Sequence, residues 1–120
     1  MPKLRKLFQR LTVPMSEVDL ARLREFCTDL PGVIPIGAAK ARQEVTVAGE
    51  ISSVRIVPRA GSPSLEATIN DGSGSIVVVW TGRRHLAGVC PGRRLVLSGR
   101  GADQNGNGRL VVLNPLYELL

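Results

Sequence analysis

The feature that most constrains the fold is a short turn set between two runs of opposite character. Asp71-Gly72-Ser73-Gly74 follows a stretch in which Leu65, Ala67 and Ile69 alternate with Glu66, Thr68 and Asn70, and it precedes the apolar run 76–80. The two glycines admit a positive φ, and a short Asp side chain can bond to the backbone two residues on. A tight β-hairpin over 65–80 is therefore predicted. The period of two extends either side of it. Val45, Val47 and Ile51 alternate with Glu44, Thr46 and Glu50, and Gly49 inside that run marks a bulge or sharp coil. A connector over 81–89, holding about one helical turn, leads through Pro91-Gly92 into a strand over 94–100. A loop over 101–108 then reverses the chain into a fifth strand at 109–113.

Five short strands in this order, with a coiled first strand, a tight turn between the second and third and a long loop between the fourth and fifth, fit a five-stranded OB-fold barrel. A sandwich needs about seven. The fold class expected is mainly β, the barrel being preceded by one or two N-terminal α-helices. Leu4, Leu7, Phe8 and Leu11 recur at helical spacing among Lys3, Arg5, Lys6 and Arg10, which predicts a basic amphipathic helix over 3–12 that ends at Pro14. Ser16 with Asp19 is a capping-box variant. It opens a second helix over 16–30 whose stripe is Leu20, Leu23, Phe26 or Cys27, and Leu30, before Pro31-Gly32. The chain divides near residue 40, giving a helical extension at 1–40 and a barrel with a C-terminal tail at 41–120. Residues 76–80 are apolar on both faces, so the outer side of that strand needs a cover, and the first helix is the candidate.

Charge narrows the function classes. Lys and Arg number 16 against 10 Asp and Glu, a formal net charge of +6, and most of the cations are Arg, whose forked guanidinium suits phosphate. Cys27 and Cys90 have no CxxC partner and there is one His, so no zinc site or disulfide scaffold is expected, and both thiols are read as buried and reduced. No apolar run is long enough to span a bilayer, and the first residues lack a signal-peptide pattern. A cytoplasmic location without membrane contact is expected. The glycine spacings fit neither GxGxxG nor GxxxxGK[ST], and no nucleophile–base pattern or carboxylate cluster is present. The reading is non-enzymatic, with no cofactor and no metal.

Residues 45–51, 65–69 and 71–76 resemble the nucleic-acid-binding OB domain of the tRNA-anticodon type. Trp80, Leu86, Pro91-Gly92, Gly99-Arg100, Asn114-Pro115 and Tyr117-Glu118 sharpen the resemblance toward the wedge domain of the branched-DNA helicase RecG and toward small stand-alone OB-fold proteins of actinobacteria. It covers residues 43–118. These 120 residues hold neither the helicase motor domains nor a phosphate-binding loop, so binding is implied and unwinding is not. Anticodon-type relatives place an aromatic five positions before the turn aspartate, where this chain has Glu66.

OB domains hold strands with a cationic groove and aromatic platforms. The expected nucleic-acid-binding residues are Arg55, Arg59, Trp80, Arg83, Arg84, Arg94, Arg100 and Arg109. For Trp80, core packing and base stacking both remain open, because it shares a strand face with Ile76 and Val78. Tyr117 is read as docking in the tail. The function expected is a grip on the phosphate backbone of single-stranded or branched DNA, favoured over RNA, the alternative being a protein–protein adaptor. Oligomeric state is left open.

Overall fold

The computed structural model describes residues 16–103, 106 and 108–120 of the chain. The expected helix over 3–12 lies outside the described residues. The second helix, α1 (Glu17–Thr28), begins as its sequence dictates. Ser16 Oγ accepts from the Asp19 amide at 3.2 Å and donates to the Asp19 carboxylate at 2.9 Å, satisfying one of the amides a helix start leaves unpaired. Its last turn ends at Thr28, short of Pro31-Gly32. A single 3₁₀ turn (Ile36–Ala38) follows.

The rest is β: β1 (Glu44–Arg59), β2 (Ser62–Asn70), β3 (Ser75–Thr81), β4 (Arg94–Asp103), β5 (Leu110–Leu113) and β6 (Leu116–Leu119). Five of these strands form a ring by pairing β1 to β2, β2 to β3, β3 to β5, β5 to β4, and β4 back to β1. All these pairings are antiparallel except β3 with β5. Closure depends on β1 serving two neighbours. Its first part, Glu44 to Glu50, pairs with β4, and from Glu50 onward it pairs with β2, with a register shift between Ile51 and Ser53. Gly49 stands one residue before the switch, where the sequence predicts a coil.

Three expectations need correction. The strand count is six, because the presumed tail is β6: β5 takes only residues 101–103 of β4, which leaves the edge at 95–98 unpaired, and the chain turns at Asn114 (φ 49) to fill it. The connector between β3 and β4 holds turns and no helix among the described residues. Cys90 is exposed in the turn before Pro91-Gly92, whereas Cys27 is buried.

Inside the ring, Val45, Val47, Leu65, Ile69, Ile76, Val78, Leu95 and Leu97 are each 0–3% exposed and form one apolar cluster with Trp80 and Val112. Outside it, α1 seats Leu23 and Cys27 on Ala48 of β1, with Leu30, Val33 and Val96 around them. A bulkier residue at 48 would lift the helix. Desolvation pushes the Cys27 thiol from 9.0 up to about 11, with Asp71 adding to the shift and Arg94 opposing it. The neutral thiol is thus favoured by folding. Its contribution to stability is complete below about pH 9 and is lost as pH rises toward 11. A thiol reagent at pH 8 is expected to modify Cys90 in the native protein and Cys27 only after unfolding. Equal labelling rates would show that α1 opens freely.

Candidate nucleic-acid interface

The end of the ring where β3 finishes is built to hold a loop still. Thr81 donates from its amide to Asn114 Oδ1 at 3.0 Å, and the Asn114 Nδ2 donates to Thr81 Oγ1 at 3.1 Å. The Asn114 amide in turn donates to the Val79 carbonyl at 2.7 Å. One residue on, the Gly82 amide donates to the Pro63 carbonyl at 2.9 Å, which ties the start of the β3–β4 loop to the β1–β2 hairpin. Arg83 and Arg84 extend from this anchor, exposed. Arg59 is half-buried at the same end: it closes β1 opposite Ser62, beside the Ala60-Gly61 tip, where both residues have positive φ. These three of the eight nominated residues lie at the same end of the ring.

None of the three has a side-chain partner among the described residues, where the one ion pair is Arg55 with Glu66. Guanidiniums without carboxylate partners leave their donors available to an incoming anion. This is the chemistry a phosphate chain needs, supplied on a pinned loop.

The other nominated residues are placed differently. Arg55 is on the outer face of β1, and its Nη2 lies 2.8 Å from Glu66 Oε1, the cross-strand neighbour on β2. An exposed pair of this kind contributes about 0–1 kcal/mol, yet it cancels the charge that nominated Arg55. Arg94 stacks its guanidinium 4.5 Å from the centre of the Phe26 ring and so helps fasten α1 to β4. Arg100 is exposed at the far end of β4, opposite Glu44 in register, and Arg109 is exposed just before β5.

Trp80 is the clearest correction. It is 5% exposed, pairs in register with Leu65, and meets Tyr117 edge-on with ring centroids 5.3 Å apart and planes at 67°. The fold takes the core-packing alternative, which leaves no indole face for a base. Tyr117 reaches Trp80 because β6 pairs with β4, a non-local contact that no local pattern announces.

The outer face of β2 and β3 is partly buried, with Glu66, Thr68 and Asn70 half-buried. Ser64 and Val79 are 0% exposed and Val77 is 8% exposed, although Val77 and Val79 belong to neither of the two apolar clusters. Sequence reasoning missed Arg42. It sits at φ 67 in the turn before β1 and shares an open depression with Arg100. Its only signal was Lys40 two positions earlier, at the expected boundary between the helical extension and the barrel.

No family model matches the sequence, and no curated protein matches it. Among solved structures, the whole chain superposes on 17% of a chain of RecG bound to a three-way DNA junction, with a TM-score of 0.61 and 20% identity. A second similar chain comes from a structure described as structural mimicry for functional antagonism, with a TM-score of 0.54 and 17% identity over 72% of this chain and 44% of that one. The protein therefore spans a minor part of each. What these likenesses show is a shared fold.

Proposed function

We propose that this protein is an OB-fold barrel that binds nucleic acid without catalysing a reaction, gripping the phosphate backbone of single-stranded or branched DNA in preference to RNA. The observation that carries the reading is the set of unpaired guanidiniums Arg59, Arg83 and Arg84 on the anchored end of the ring. The superposition on RecG bound to a DNA junction supports it at the level of fold. With Trp80 in the core, base stacking loses its best aromatic platform. Backbone neutralisation is what the surface provides.

The test is a fluorescence-anisotropy titration of labelled single-stranded, duplex and three-arm DNA and single-stranded RNA at 50 and 200 mM salt. Three phosphate contacts predict an affinity loss of about 20-fold on single strands and about 40-fold on duplex across that range, and R83A/R84A should lower the slope of log K against log salt by about 1.4–1.8. No binding at 50 mM would overturn the reading. A second reading has an observation of its own: Leu113, Leu116 and Leu120 are 51%, 79% and 44% exposed along β5, β6 and the residue after it. A protein partner seated there would bind with little salt dependence and would be insensitive to R83A/R84A.

A further inference from the structure

Away from the Arg83–Arg84 end, an open depression of about 540 Å³ lies where the turn before β1 meets the end of β4, lined by Ala41, Arg42, Arg100, Gly101, Ala102 and Asp103. Two backbone hydrogen bonds hold its walls together: the Arg42 amide donates to the Gly101 carbonyl at 2.8 Å, and the Gly101 amide donates to the Gln43 carbonyl at 3.3 Å. Gly101 is buried, and a Cβ there would come within 3.2 Å of Leu110 and 3.6 Å of the Lys40 carbonyl. The wall is thus close-packed rather than loose. Arg42 adopts φ 67, a left-handed backbone that few non-glycine residues take up, and the surrounding bonds impose it.

We propose that this depression is a second phosphate-binding position, in which Arg42 and Arg100 hold one backbone phosphate group of a nucleic acid whose other contact is at Arg83 and Arg84. The proposal rests on the nucleic-acid reading given above. Both guanidiniums are exposed and have no hydrogen-bond or ion-pair partner among the described residues. The nearby acids do not quench them. Asp103 turns its carboxylate to its own loop, accepting from the Gly108 amide at 3.2 Å, and Glu44 faces Arg100 across the strands without forming an ion pair. The exposed Lys40 adds a further positive charge on the same turn.

The separation suits one continuous ligand. Val77 is level with Val111, which is level with Ala102, and Thr81 is four residues further along β3. Four residues along a strand and two strand spacings across put the positions about 16 Å apart. That is within the span of the roughly 4–16 nucleotides an OB fold accommodates.

The experiment uses the full chain and a labelled single strand of about 16 nucleotides, with a three-arm DNA junction as a second probe, each titrated over a series of salt concentrations. Asparagine tolerates the left-handed backbone, so R42N/R100Q removes both charges without forcing the turn, and R42K/R100K keeps them. The expected result is a slope of log K against log salt reduced by about 0.7 on the single strand, affinity at 50 mM lower by about tenfold, and the slope retained in R42K/R100K. If the native chain binds and R42N/R100Q matches it in slope and affinity, the second position is wrong while the Arg83–Arg84 reading stands. If both double variants flatten the slope equally and melt early, the two arginines are structural and the proposal fails. If the native chain binds neither probe, both readings fall together.

Discussion

Replacing Asp71 with alanine is expected to destabilise the protein by about 4 kcal/mol, enough to unfold much of a population that starts from the usual 5–15 kcal/mol. Asp71 is 2% exposed, and its carboxylate joins two separate segments, its own hairpin turn and the 3₁₀ turn. Oδ1 accepts from the Ser73 amide at 2.8 Å, the Ser73 hydroxyl at 2.6 Å and the Gly74 amide at 3.2 Å, which fixes the hairpin turn. Oδ2 accepts from the Ile36 amide at 2.8 Å, which attaches the 3₁₀ turn to the ring. Hydrogen bonds to a charged acceptor contribute about 1.5–3 kcal/mol each, and alanine strands the buried donors as well as deleting the acceptor. The loss reaches α1, because the Gly72 carbonyl accepts from Arg24 and a Cβ on Gly72 would lie 2.6 Å from the Leu20 carbonyl. Denaturant unfolding followed by circular dichroism checks it. A loss under about 1 kcal/mol would mean that water replaces the carboxylate in the turn.

Gly49→Ala should cost about 3 kcal/mol, at the upper end of what overpacking usually costs. A Cβ at 49 would meet Ile69 Cγ2 at 2.6 Å and the Asn70 carbonyl oxygen at 2.8 Å. The side-chain atom can shift. The carbonyl cannot readily do so, because Asn70 pairs with Glu50 on one side and Ser75 on the other and leads into the Asp71 turn. The added methyl therefore presses on the point where β1 passes from β4 to β2 and holds the ring closed. At about 4–8 °C per kcal/mol for a small domain, the melting temperature should fall by more than 10 °C. A shift of only about 2 °C would show that the crossing has slack the geometry does not suggest.

Both effects lie at positions that were partly readable from the sequence, for different reasons. The Asp71–Gly74 turn was legible because its chemistry is local: the acceptor and two of the amides it serves lie within three residues. The bond from Asp71 to Ile36, 35 positions away, was not legible. Gly49 announced a bend, yet only the ladder shows that the bend lets one strand serve two neighbours. The start of α1 was fixed by Ser16 and Asp19, three residues apart.

The candidate site was less readable, because nominating arginines by their density along the chain says nothing about which of them meet a carboxylate or an aromatic ring. Arg55 meets Glu66 across strands, and Arg94 meets Phe26 across a helix–sheet contact 68 positions apart in sequence. Arg42 and Arg100 face one depression only because the first part of β1 pairs with β4. By itself the sequence determined five of the six strands, the hairpin turn, the helix cap and the excess of arginine, since periodicity, turn torsions and capping act over a few residues. The tertiary structure alone decided that Trp80 is core, that the tail is a sixth strand and which arginines remain unpaired. Those outcomes are set by register between distant strands, and a shift of one residue would send every side chain on a strand to its other face.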